Sequence, residues 1–317
     1  MDLTTYLMLI TGVGIAGYFG YKYVDDLANY VNINQKSPRV SGYLYTLLLP
    51  ICLTLAITCT VDHLPDVVIT FLMGTALFVS VLYIGWSNIK KQQQLPASTS
   101  QLALWPIILV VLLWIICYDR IITLSDGIIL IIFGLIWFLT TSTLAKKNRE
   151  LGELLSVNLI PRRQVVPIFS SSQAVFIWLG TLLAIAIGSE LIAYNLQLFV
   201  ANSGLTATVF GATVVALVCT LTIIWRNYHD VTRPSATTIV RDGYTAPIVL
   251  TSFYLGIAAL FNNIRVDKLV FQYYLPILTL GLILTAITLY RHKTERYIGW
   301  AYCVLAICYL LVGFIVK

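Results

Sequence analysis

Residues 188–217 read GSELIAYNLQLFVANSGLTATVFGATVVAL and residues 20–48 read GYKYVDDLANYVNINQKSPRVSGYLYTLL; the second lies on the first without a gap once Leu27 is set against Leu196. Val31, Val40, Gly42 and Leu48 then face Val200, Val209, Gly211 and Leu217, and the two glycines share a V-x-G context. Leu and Val recur by chance between apolar segments, so the glycines carry the weight of this match. An internal repeat in an apolar chain predicts a fold made of two copies of one unit.

Composition sets the class. The 317 residues are 59% hydrophobic and 11% charged, with a mean hydropathy of +0.86, whereas globular domains carry about a quarter charged residues. The chain therefore reads as a polytopic membrane protein whose first partner is the lipid bilayer. Its six cysteines all lie in apolar runs without C-x-x-C or Cys/His spacing, which predicts small buried side chains and no metal site. The net charge of +6 comes from loops beside the apolar runs, where Lys and Arg set orientation, so no nucleic-acid partner is implied. Ser170, Ser171 and Ser172 have no His or Asp pattern beside them, and the chain reads as a non-enzyme without a cofactor. Gly12 to Gly17 carry the letters G-x-G-x-x-G, but no strand precedes them. Gly12, Ala16 and Gly20 share a helix face instead, which predicts close packing against a neighbouring helix.

About 20 apolar residues are needed per span, which places spans near 4–30, 40–60, 66–88, 103–118, 124–145, 168–200, 206–225, 237–261, 269–290 and 298–316. The expected fold is thus an all-α integral membrane protein of about ten transmembrane helices. Residues 1–145 form a first five-helix repeat, 146–165 a cytoplasmic hinge loop and 166–317 a second five-helix repeat. Five is odd, so the second repeat is inverted relative to the first. Fourteen Lys and Arg residues lie on the hinge side and four on the other. That bias predicts a cytoplasmic hinge and both termini outside, in a plasma (inner) membrane.

The second copy resembles an α-repeat of the sodium/calcium (cation/Ca2+) exchanger superfamily. Gly188-Ser189-Glu190-Leu191 matches its G-[AS]-E/D-L stretch, and Val209-Phe210-Gly211-Ala212-Thr213-Val214-Val215-Ala216 matches V-I-G-x-T-x-V-A. The match ends there. Where the family has G-T-S-x-P-E this chain has Val218-Cys219-Thr220-Leu221-Thr222-Ile223, and in the first copy Leu49-Pro50-Ile51-Cys52-Leu53-Thr54. The family's ion-binding glutamates fall on Ile223 and Thr54, and its G-N-x-x-G-S-N element keeps only Gly74-Thr75 and Gly243-Tyr244. The resemblance implies an exchanger-like, antiporter-like architecture whose centre is made by spans two, three, seven and eight.

Polar groups inside spans are the default functional candidates, because a charge there is costly unless paired or hydrated. The substrate-pathway candidates are Thr54, Thr70 and Thr75 in the first half and Thr220, Thr222, Arg241, Asp242 and Tyr244 in the second. Hydroxyls alone make a weak calcium site. Arg241 and Asp242 begin span eight, so they either snorkel to the surface or line a central cavity; neighbours on a helix point to different sides. Glu190 falls near the outer boundary, and Asp62, His63 and Asp66 around Pro65 read as a solvated turn, with a metal site as the lesser alternative. The expected function is secondary transport of a small ion or solute other than Ca2+. The alternative is a non-transporting, degenerate exchanger kept as a membrane subunit or assembly partner.

Overall fold

The structure is a computed structural model that describes residues 8, 10–16, 18–19, 50–62, 64–90, 92–155, 171–203, 206–226 and 235–315. The first repeat copy at 20–48 and the hinge beyond residue 155 lie outside the described residues.

In hydrocarbon every backbone N–H and C=O must find a partner within the segment, so a continuous apolar run folds as a helix. The helices are α1 (within 8–19), α2 (Pro50–Val61), α3 (Pro65–Lys90), α4 (Ala97–Ile116), α5 (Leu124–Lys147), α6 (Ser171–Ser203), α7 (207–226), α8 (Ala236–Phe261), α9 (Val270–Arg291) and α10 (Arg296–Ile315). A short helix, Arg149–Leu155, follows α5. Among the described residues, α3, α4, α5, α8, α9 and the Leu179–Leu198 part of α6 are long and apolar enough to cross a membrane, and α2, α7 and α10 hold shorter apolar helices. The chain is an all-α integral membrane protein. Span four begins earlier than expected, because Ala97–Leu102 forms a 3-10 turn ahead of Pro106.

Local sequence sets several ends. Pro65 occupies the first turn of α3 with Asp66 beside it, where a fixed φ and a negative charge both suit a helix N-terminus. Asp126 accepts the Thr123 backbone N–H at 2.8 Å at the start of α5, and Lys146 and Lys147 close its last turn.

Two helices form the centre. The apolar stretch of α3 is 89% buried and that of α8 83%, against 33% to 44% for α4, α5, α6 and α9. Leu104, Ile107, Val111 and Ile115 on α4, and Ile128, Ile132, Leu135 and Leu139 on α5, stand exposed at helical spacing and face lipid. α3 and α8 run antiparallel. Gly243 near the start of α8 meets Tyr83 and Ile84 near the end of α3, and β2 (Ile264–Arg265), just past the end of α8, lies against α3.

Glycines set the closest helix crossings. A Cβ on Gly127 of α5 or Gly256 of α8 would stand 2.8 Å from the other's carbonyl oxygen. A Cβ on Gly299 of α10 would stand 2.6 Å from the carbonyl of Gly85 in α3. Gly12 of α1 meets the Gly188 carbonyl, and a Cβ on Gly188 would press on Ala16 at 2.9 Å. The Gly12 and Ala16 face therefore packs a helix, as expected; Gly20 is outside the described residues. Two loop contacts complete the frame: β1 (Ile121–Ile122) pairs antiparallel with β2, and Gln94 pairs antiparallel with Lys293. No disulfide joins any of the six cysteines.

Candidate functional site

Arg241 and Asp242 lie in the second turn of α8, within a π-helical stretch from Ile239 to Tyr244. The guanidinium forks onto the carboxylate, Nε to Oδ1 at 2.9 Å and Nη2 to Oδ2 at 2.5 Å. The residues are 6% and 5% exposed, so the snorkelling alternative is excluded. The expectation that sequence neighbours point apart fails for a local reason. A π turn holds more residues than an α turn, which narrows the angle between successive side chains, and the long Arg stem closes the remaining gap. A bidentate pair is also the geometry in which two buried charges best offset their desolvation.

The same π stretch places Tyr244 and Gly243. Tyr244 is fully buried and its hydroxyl accepts a 2.9 Å hydrogen bond from Trp137 Nε1 on α5. A Cβ on Gly243 would stand 2.6 Å from Ile84 of α3, and Ser80 of α3 donates to the Gly243 carbonyl at 3.5 Å. Thr245 donates to the Arg241 carbonyl one turn back. Beneath this end of α8 packs the short helix Arg149–Leu155, with Leu151, Leu154 and Leu155 buried.

The threonine candidates are held by separate contacts. Thr54 on α2 shares a 2.8 Å hydrogen bond with Ser189 on α6. Thr70 on α3 donates to its own helix at the Val67 carbonyl, 2.9 Å, and lies against Gly211 of α7. Thr75 is fully buried and its hydroxyl makes no hydrogen bond. Thr220 donates to the Ala216 carbonyl at 2.7 Å. The Thr222 side chain lies outside the described residues. Arg241, Asp242 and Tyr244 thus share one turn, while Thr54, Thr70 and Thr220 bond elsewhere and Thr75 makes no hydrogen bond.

Sequence reasoning missed Ser189, Trp137 and Tyr309 as partners. Tyr309 on α10 donates to the Thr70 carbonyl at 2.9 Å, and Phe78 meets its ring edge-on. The signal available was a polar-tipped aromatic in an apolar helix, which needs a partner when buried.

No family model matches the sequence, and no curated protein matches it. Solved structures do. The chain is similar to the sodium-calcium exchanger NCX_Mj soaked with 2.5 mM Na+ and 0.1 mM Sr2+, with a TM-score of 0.62 at 16% identity over 97% of this chain and 98% of that one. It is equally similar to the form soaked with 2.5 mM Na+ and 0.1 mM Ca2+, with a TM-score of 0.62 at 17% identity over the whole of both chains. The form soaked with zero Na+ and Ca2+ gives a TM-score of 0.58 at 18% identity over 97% of this chain and 98% of that one. At this identity the likeness speaks for the fold, and the chain has the fold of that exchanger.

Proposed function

We propose that this chain is a secondary transporter built of two inverted five-helix repeats, moving a substrate other than Ca2+. The observation that carries the reading is the buried Arg241–Asp242 fork in the π-helical start of one of the two central helices. Charges within spans concentrate on substrate and ion pathways, and π turns inside helices concentrate at functional sites. An anionic solute would compete with Asp242 for the guanidinium fork, whereas a proton on Asp242 would release it. Protons or an anionic solute are therefore the substrates this pair can handle, with Thr54, Thr70, Thr75, Thr220, Thr222 and Tyr244 along the pathway.

Contacts that recur at matched positions support the inverted repeat. α3 and α8 are equally long, 26 residues each. Gly85 and Gly256 stand equally far from the starts of these two helices, at Pro65 and Ala236, and their partners Gly299 and Gly127 stand equally far from the starts of α10 and α5, at Arg296 and Leu124. The two glycine crossings thus exchange halves. The loop pairs behave alike. Gln94 and Arg265 follow the ends of α3 and α8 by the same interval, and their partners Lys293 and Ile121 precede α10 and α5 by the same interval. Domains 1–145 and 166–317 joined by the hinge 146–165 follow from this reading, and the bias of 14 to 4 in Lys and Arg favours a cytoplasmic hinge with both termini outside.

The test is current from proteoliposomes on a solid support after jumps in pH or in small-anion concentration. Folded protein should respond, and Asp242→Asn and Arg241→Gln should abolish the response. Silence from folded wild-type protein would leave the alternative, a degenerate exchanger acting as a membrane subunit. That reading is favoured by the tight apolar packing of α3 and α8, where Phe71, Leu72, Met73, Val249 and Leu250 are all fully buried.

A further inference from the structure

At the other end of α3 from the ion pair, three helices and one loop meet. Asp66 sits in the first turn of α3, and its Oδ1 is buried without a hydrogen bond. One turn inward, Thr70 touches Gly211 of α7 and its carbonyl takes the Tyr309 hydroxyl. One turn outward from Gly211 is Thr208, 3% exposed, which donates to Asp267 Oδ2 at 2.8 Å. The ring of Tyr274 on α9 lies 4.6 Å from that of Tyr309. Tyr274 is fully buried and its hydroxyl has no partner.

These contacts locate the groups relative to one another. Asp66 and Thr208 stand at the same level because the residues one turn inward touch. Helical side chains lean toward the N-terminus, so the Tyr274 phenol reaches back toward Asp267, two turns earlier. β2, which carries the exposed Arg265, packs against α3, and so does the start of α9 that carries Tyr274. This end of α3 thus gathers two carboxylates, one guanidinium, a hydroxyl and a phenol on elements that pack together.

We propose that Asp66, Thr208, Asp267 and Tyr274 form a binding site for a small hard cation. A buried carboxylate oxygen and a buried phenol without partners are costly, and both costs fall if one ion accepts their lone pairs. Every donor atom is oxygen, the chemistry of Na+ and Ca2+ rather than of soft metals. Thr208 gives its proton to Asp267 and keeps its lone pairs for the ion. Among the described residues no group of three or more His, Cys, Asp or Glu converges anywhere. Water must therefore complete the shell, and the site is weak, on the order of 10⁻⁴ to 10⁻³ M as in exposed calcium modules. The inference is independent of transport, since it concerns the opposite end of α3 and binding alone.

Terbium is a suitable probe, because it takes hard-cation sites and emits when a nearby tyrosine is excited. Titrating purified protein in detergent with Tb3+ should give saturable emission that Ca2+ or Na+ displaces, and whichever ion displaces it identifies the charge the site prefers. Asp66→Asn and Asp267→Asn should each weaken binding about tenfold or more, as loss of one of two charges facing an ion does. Tyr274→Phe should cut the sensitised emission at saturation. Asp267 is half-buried on a loop, so its variant keeps the test available should Asp66→Asn unfold. Unsaturable binding to folded wild type, or binding undiminished in the Asp66→Asn/Asp267→Asn double variant, overturns the proposal.

Discussion

Arg241 and Asp242, adjacent in sequence, are each other's partner inside the bundle, joined by a two-point fork and both less than a tenth exposed. Removing one member leaves the other charge buried, so Arg241→Ala or Asp242→Ala alone should destabilise by about 3–5 kcal/mol. The double substitution should recover much of that loss. Melting temperatures of the four proteins in detergent close this cycle, and equal values across it would show that the two charges are not a buried, mutually dependent pair.

The glycine crossings give a second test. At Gly256 a Cβ would stand 2.8 Å from the Gly127 carbonyl, and at Gly299 2.6 Å from the Gly85 carbonyl, where backbone cannot move aside as a side chain does. Gly256→Ala and Gly299→Ala should each cost about 1–3 kcal/mol, the usual range for overpacking. Gly14→Ala and Gly180→Ala, with nothing within 4 Å, should be silent or slightly stabilising. Equal melting temperatures for all four variants would refute the close crossings.

How much of this could be read beforehand depends on the range of the interaction. Apolar runs placed the central helices close to their observed bounds, and the spacing of Gly12 and Ala16 put both on a packing face, because each is a property of one helix. The Arg241–Asp242 fork was hidden, since it needs a π turn and apolar periodicity carries no mark of one. Gly85, Gly127, Gly256 and Gly299 drew no notice, because a lone glycine in an apolar helix gains meaning only when its partner glycine is known. Asp66 read first as part of a solvated turn for the same reason: Thr208 and Asp267, on elements that pack near its end of α3, belong to the other half of the chain.

Topology can be checked directly. In a cysteine-free background, single cysteines at Gln93 and Asn148 should be shielded from impermeant thiol reagents in intact cells. One at Asn262, exposed beyond the end of α8, should react. The warrant is the bias of 14 to 4 in Lys and Arg. Reversed labelling would overturn the orientation and with it the cytoplasmic placement of the hinge.

The last prediction is that the protein does not exchange Na+ for Ca2+. A calcium ion that leaves water needs six to eight oxygens, several of them anionic. The resemblance to exchangers sets two family glutamates against Thr54 and Ile223, neither of which is anionic. Thr54 is bonded to Ser189 at 2.8 Å and carries no charge, and the described hydroxyls of Thr70 and Thr220 donate to carbonyls of their own helices. The one carboxylate among the candidates, Asp242, is already held by Arg241, and freeing it for calcium would strand a buried guanidinium. Binding of a cation at Asp66 and Asp267 would not change this, because that pair lies at the far end of α3 from the central helices' ionised residues. Purified protein in liposomes, loaded with Na+ and diluted into Na+-free buffer with labelled Ca2+, should take up no more calcium than empty vesicles. Gradient-driven uptake that scales with protein would show that some other set of oxygens forms the calcium cage, and would overturn the assignment of a different substrate.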